Sequence, residues 1–130
     1  MPAFTLSNPP AVRPPISGYS HAALIEGPPR RLVVSGQVGI APDGSIPESA
    51  EAQVEQAFAN LRAILEAHRM GFRDLVKTTT YVTDRETVGI FREHRGRLFA
   101  ENPPASTLVI VAGLVDPRLK VEIEAEAVAA

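Results

Sequence analysis

The stretch LVKTTTYVTDRETVGIFREHRGRLFAENPPASTLVIV, residues 75–111, changes its apolar period twice, and that change decides the fold. Val76 to Val82 is rich in β-branched residues and alternates, with Val76, Thr78, Thr80 and Val82 on one side, which predicts a strand. From about Thr87 to Ala100 the period lengthens, so that Val88, Phe91, Leu98 and Phe99 share a face and predict a helix. Glu101-Asn102-Pro103-Pro104 ends it, because the residue before a proline is pushed out of helical backbone. Thr107 to Val111 then runs without polar alternation, the pattern of a strand buried on both faces.

Working outward, Val54, Ala57, Phe58, Leu61, Ile64 and Leu65 form a single apolar stripe at helical spacing. Ser45 and Glu48 have the spacing of a capping box, with Ser49 as an alternative cap, and Gly71 is placed to terminate the helix. Further back, Ala22–Ile25 and Leu32–Val34 are short apolar runs around Gly27-Pro28-Pro29, which predicts a β-hairpin. Asp43-Gly44 marks a tight turn. Five prolines within the first fifteen residues exclude regular helix or central strand there, so residues 1–17 are expected to form a surface arm. At the other end, KVEIEAEAVA (120–129) alternates Val121, Ile123, Ala125 and Ala127 with glutamates: a strand with one polar face.

The resulting order, β-β-α-β-α-β-β, is an α+β fold of two layers in one domain spanning 1–130. Two helices cover only one sheet face. The other carries apolar and β-branched residues and is expected to meet another subunit.

Composition narrows the function. Hydrophobic residues are 45% of 130, and a chain of this length buries roughly two-thirds of its unfolded surface. No cysteine is present, which excludes disulfides and thiol chemistry and fits a reducing, cytoplasmic setting. A net charge of −2 argues against nucleic acid as a partner. No apolar run approaches the ~20 residues that span a bilayer, so no membrane partner is expected. His21, His68 and His94 lack metal-ligand spacing, so no metal is expected. Ser35-Gly36 reads as a strand end with a bulge or close backbone approach, or as a place where a ligand meets backbone N–H groups. Arg92, Arg95 and Arg97 lie on the second helix, with surface solubility as their ordinary role and an anion clamp as the alternative. A glutamate of the last strand turned into a cleft would suit proton transfer.

Taken together, SGYSHA, LVVSGQVG, PESAEAQVEQAFANLRAILEA, DLVKTTTYVTD, the Pro104-Ala105 step and KVEIEAEAVA resemble the YjgF/RidA family, the reactive-intermediate deaminases. The resemblance covers nearly the whole chain from about Gly18. It implies a chorismate-mutase-like fold: a six-stranded mixed sheet with two helices on one face, assembled as a homotrimer around a central barrel, with small-molecule clefts between subunits. It further implies hydrolysis of small imines or enamines to a 2-keto acid and ammonia, without metal or cofactor. By the same resemblance, Tyr19, Ser35, Gly36, Arg92, Ser106 and Leu108 are expected to line the cleft, and Glu122, the first acid of KVEIEA, to direct the attacking water. Where the deaminases place a carboxylate-binding arginine after Pro-Ala, this chain has Ser106. Altered specificity is therefore expected, with Arg92 a possible replacement cation. A non-catalytic binding or regulatory trimer, and more weakly an endoribonuclease, are the alternatives.

Overall fold

The computed structural model describes residues 5–15 and 20–130. Six strands form one sheet: β1 (Thr5–Ser7), β2 (Ala22–Ile25), β3 (Arg30–Val38), β4 (Leu75–Val82), β5 (Ala105–Ile110) and β6 (Val121–Ala129). They lie in the order β1-β2-β3-β6-β4-β5. The helices are α1 (Ala50–Ala67) and α2 (Arg85–Leu98), and a single 3-10 turn, Phe72–Asp74, precedes β4. All neighbouring strands are antiparallel except β4 and β5, which run parallel with α2 as their connection. The predicted α+β fold is therefore present.

Alternation decides which way each strand faces. Val121, Ile123, Ala125 and Ala127 of β6 point under the helices and are buried, as are Leu32 and Val34 of β3. These residues close the core against Val54, Phe58, Leu61, Ile64 and Leu65 of α1 and Phe91 of α2. Phe58 stacks on Phe91 with ring centroids 5.3 Å apart and meets Phe99 edge-on at 5.6 Å, so aromatic contact locks the two helices together.

Several boundaries differ from the sequence reading, each for a local reason. The N-terminal arm is not wholly on the surface. Thr5–Ser7 adds an edge strand to β2, and Val12 is buried in the core. Ser49, not Ser45, caps α1, its hydroxyl accepting from the Ala52 N–H at 3.1 Å. Gly71 does not terminate that helix. Instead Arg69 takes the left-handed turn (φ 57°), with Arg69 N–H donating to Glu66 O and Met70 N–H to Leu65 O. That is a Schellman ending built on a non-glycine residue. In α2, Asp84 is the cap, its carboxylate accepting from both the N–H and hydroxyl of Thr87, so the helix starts at Arg85. In β4 the register shifts between Leu75 and Lys77. Leu75 takes the buried side, and Val76, expected to share a side with Thr78, Thr80 and Val82, is 44% exposed while those three are buried. The β5 strand is not buried on both faces within one chain, for it is the sheet edge and Val109 and Ile110 remain 39% and 45% exposed.

The uncovered face is also more polar than expected. Arg31 pairs with Glu126 at 2.6 Å, Tyr81 donates to Glu124 at 2.5 Å, and Lys77 donates to Thr107 at 2.7 Å. Its exposed large apolar side chains lie at the two edges, Leu6 of β1 and Val109 of β5.

Candidate functional site

Two buried amides on α1 fix the strands that carry the site. Gln53 donates to the carbonyls of Pro47 and Arg118, each at 2.9 Å, and accepts from the Lys120 N–H at 2.8 Å. It thereby sets the entry to β6 two residues before Glu122. Asn60 donates to Val38 O and Ile40 O, at 3.0 and 2.9 Å, and holds the end of β3. Sequence reading of the apolar stripe passed over both. Their position among Val54, Ala57, Leu61 and Ile64 at helical spacing is the signal that marks them as inward-facing.

The register of β3 against β6 breaks between Val34 and Gln37, so Ser35 and Gly36 form a bulge. The two residues then divide the work. Ser35 is held structurally: its hydroxyl donates to Ser20 O at 2.6 Å and its N–H to His21 O at 2.7 Å. Gly36 provides room for an acid. A Cβ added there would collide with Oε2 of Glu122 and stand 2.8 Å from its Cγ. The carboxylate of Glu122 thus lies against the Gly36 backbone, in a place that any side chain at 36 would force it to leave.

Glu122 differs from the other glutamates of its row. Glu126 is paired with Arg31 and Glu124 accepts from Tyr81, whereas Glu122 makes no hydrogen bond among the described residues. Burial, and secondarily the negative charge of Glu124, push its carboxyl above the usual range. The hydrogen bond to Glu124 likewise raises Tyr81 above an ordinary phenol. A half-buried, unengaged carboxyl with a raised pKa is suited to taking and returning a proton.

Ser106 and Leu108 lie elsewhere. They pair with Thr78 and Thr80, on the helix-covered side, whereas Glu122 pairs with Tyr81 on the open side. Between α2 and β5 is a cavity of about 680 Å³ lined in part by Arg92, Arg95, Phe99, Pro104, Ser106 and Leu108. One expected group (Ser35, Gly36, Glu122) therefore clusters on one face and another (Arg92, Ser106, Leu108) on the opposite face. Tyr19 lies outside the described residues. Arg95, read in sequence as a solubility residue with an anion clamp as the alternative, is the cation that touches Ser106, donating from Nη1 to its Oγ at 3.3 Å.

Among the described residues there is one metal-like cluster. Glu51, Glu55 and His94 bring possible ligand atoms within 4.8 Å of one another. Arginine can only donate, so the Arg97–His94 Nδ1 contact at 3.2 Å makes Nδ1 an acceptor. The proton then sits on Nε2 and is donated to Glu51 at 2.9 Å. Neither ring nitrogen is free for an ion. No helix among the described residues is long and apolar enough to cross a membrane.

Residues 10–129 match the model of a protein family described as endoribonuclease L-PSP. The chain belongs to this family, also called YjgF/RidA. Among relatives, the 2-iminobutanoate/2-iminopropanoate deaminase of Rattus norvegicus is 36% identical over 115 residues, 87% of this chain and 81% of that one. The crystal structure of RidA from an Antarctic Psychrobacter superposes with a TM-score of 0.85 at 30% identity, covering 95% of this chain and 97% of the other. Escherichia coli TdcF, crystallised with bound serine, superposes at 0.85 with 26% identity, covering 96% and 98%. The RidA resemblance read from SGQ, DLVKTTTYVTD and KVEIEA is thereby established.

Proposed function

We propose that the protein hydrolyses a small imine or enamine to the corresponding keto compound and ammonia, in clefts formed between the subunits of a homotrimer. The observation that carries this reading is the carboxyl of Glu122, half-buried against Gly36 and without a hydrogen bond among the described residues, in a chain of the RidA family. In the proposed step Glu122 accepts a proton from water as the water oxygen bonds to the C=N carbon. Passing that proton to nitrogen gives a carbinolamine; Glu122 then carries the hydroxyl proton to the amine, the C–N bond breaks, and ammonia leaves as the carbonyl forms. These residues supply the proton handling without a metal or cofactor.

A shared cleft is supported by the division of the site between two faces. Within one chain, Glu122 and the α2–β5 cavity lie on opposite sides of the sheet. The exposed β5 edge of one copy, laid across the open face of the next, would bring them to a single ligand. The names of relatives support imines as substrates. RNA cleavage, which the family description mentions, is less favoured by an open face carrying three glutamates and a net charge of −2.

The test is to generate 2-iminobutanoate in situ by enzymatic oxidation of 2-aminobutanoate and follow the release of 2-oxobutanoate and ammonia. The expected result is faster release with the protein present, by an assembly whose light-scattering mass is about three times the 13.9 kDa of one chain. Release at the buffer rate across a panel of imines would refute hydrolysis. A ligand-induced rise in melting temperature without turnover would favour a binding protein instead.

A further inference from the structure

The cavity between α2 and β5 carries positive charge that its surroundings do not neutralise. Arg92 and Arg95 line it and no acidic residue does. Arg97, on the same helix, is answered by Glu93 and His94. Among the described residues no carboxylate pairs with Arg92 or Arg95. The two are three positions apart and therefore neighbours on one helix face.

Arg95 is also held in place. Its guanidinium lies over the Phe91 ring, 5.5 Å from the centroid, and one N–H donates to Ser106 Oγ at 3.3 Å. Among the described residues only one of its five guanidinium donors is thereby engaged, and the planar fork remains available to a carboxylate. Phe99, Pro104 and Leu108 supply an apolar wall for the carbon chain of a ligand.

We propose that Arg95 is the carboxylate anchor of the cleft, acting from α2 in place of a cation at position 106. Arg92 then recognises a second anionic group. Resting on the imine-hydrolase reading above, this makes the preferred substrate a 2-imino acid whose side chain bears another carboxylate. One guanidinium suffices for a short monocarboxylate; two beside a cavity of about 680 Å³ suit a longer dianion.

Binding separates this inference from turnover. Titration calorimetry on the intact protein compares 2-oxobutanoate with 2-oxopentanedioate, the product-like mono- and dianion. The dianion is expected to bind at least ~tenfold more tightly, with the advantage shrinking at high salt. Arg92→Met should bring the two affinities level, and Arg95→Met should weaken both by about ten- to a hundredfold. Melting curves verify that each variant is folded. If Arg95→Met is not, Arg95→Lys keeps the charge, loses the fork, and is still expected to bind more weakly. Equal affinity for the two acids, no binding of either, or binding indifferent to Arg95 would overturn the proposal. Tight dianion binding without hydrolysis would count against the catalytic reading alone.

Discussion

The carboxylate of Glu122 rests on the backbone of Gly36, in space that any side chain at position 36 would fill. The bulge in β3 and the polar row of β6 are thus one device, an acid seated on a glycine and left without a hydrogen-bonding partner among the described residues.

Gly36→Ala separates the seat from the fold. The colliding atoms are the end of a flexible side chain, so Glu122 can swing away at about 1 kcal/mol for a displaced rotamer. The melting temperature should fall by only a few degrees, while kcat/KM for imine hydrolysis falls about a hundredfold or more as the base leaves its place. Full activity in a folded variant would show that the position of Glu122 is immaterial.

The raised pKa of Glu122 has opposite consequences for activity and stability. As a base it works deprotonated, so the acid limb of kcat/KM should lie above the 4.5 of an ordinary glutamate. Glu124→Gln removes a neighbouring charge and should move that limb downward. Stability runs the other way. Folding favours the protonated acid, so the contribution is complete below pH 4.5 and is lost as the pH rises through the elevated value. Glu122→Gln should therefore melt higher than the native chain at pH 7, and the gap should close in acid. A lower melting temperature at pH 7 would contradict the direction of the shift.

Gln53 joins α1 to the segment leading into β6 by three hydrogen bonds at 2.8 and 2.9 Å. Gln53→Leu preserves much of the volume but leaves the Lys120 N–H and two carbonyls unsatisfied, at a cost of about 3 kcal/mol. Chemical denaturation should register a loss of that order. A change within ~0.5 kcal/mol would mean that water satisfies those groups equally well.

Arg69 occupies left-handed backbone at φ 57° at the end of α1. Relief of that conformation by Arg69→Gly should stabilise the chain by about 1 kcal/mol, offset in part by the greater freedom of glycine when unfolded. The melting temperature should rise by a few degrees. A fall would show that the arginine side chain contributes more than its backbone costs.

The fold was legible because three signals agreed over long segments: the stripe of α1, the alternation of β6 and the period change across 75–111. What sequence missed was local or long-range. The bulge that turns Val76 outward is a matter of register between β4 and β6, invisible in the pattern of either strand. The apolar run of β5 indicates burial, yet nothing in a single sequence says whether its own chain or another covers it. At the site, Gly36 and Glu122 were both marked in sequence, but their contact depends on a register shift. Arg95 was read as a solubility residue with an anion clamp as the alternative, because helical spacing places Arg92 and Arg95 side by side, and only the packing of α2 on β5 shows which one reaches Ser106.

The most direct measurement is the rate at which Glu122→Gln hydrolyses 2-iminobutanoate at pH 7, set against the native chain at matched assembly. The substitution keeps size and hydrogen-bonding capacity and removes only the ability to hold the proton. The expected result is a rate about 10²- to 10⁴-fold lower, in a protein that is folded and associates as before. A native-like rate would contradict the assignment of Glu122 as the group that activates water.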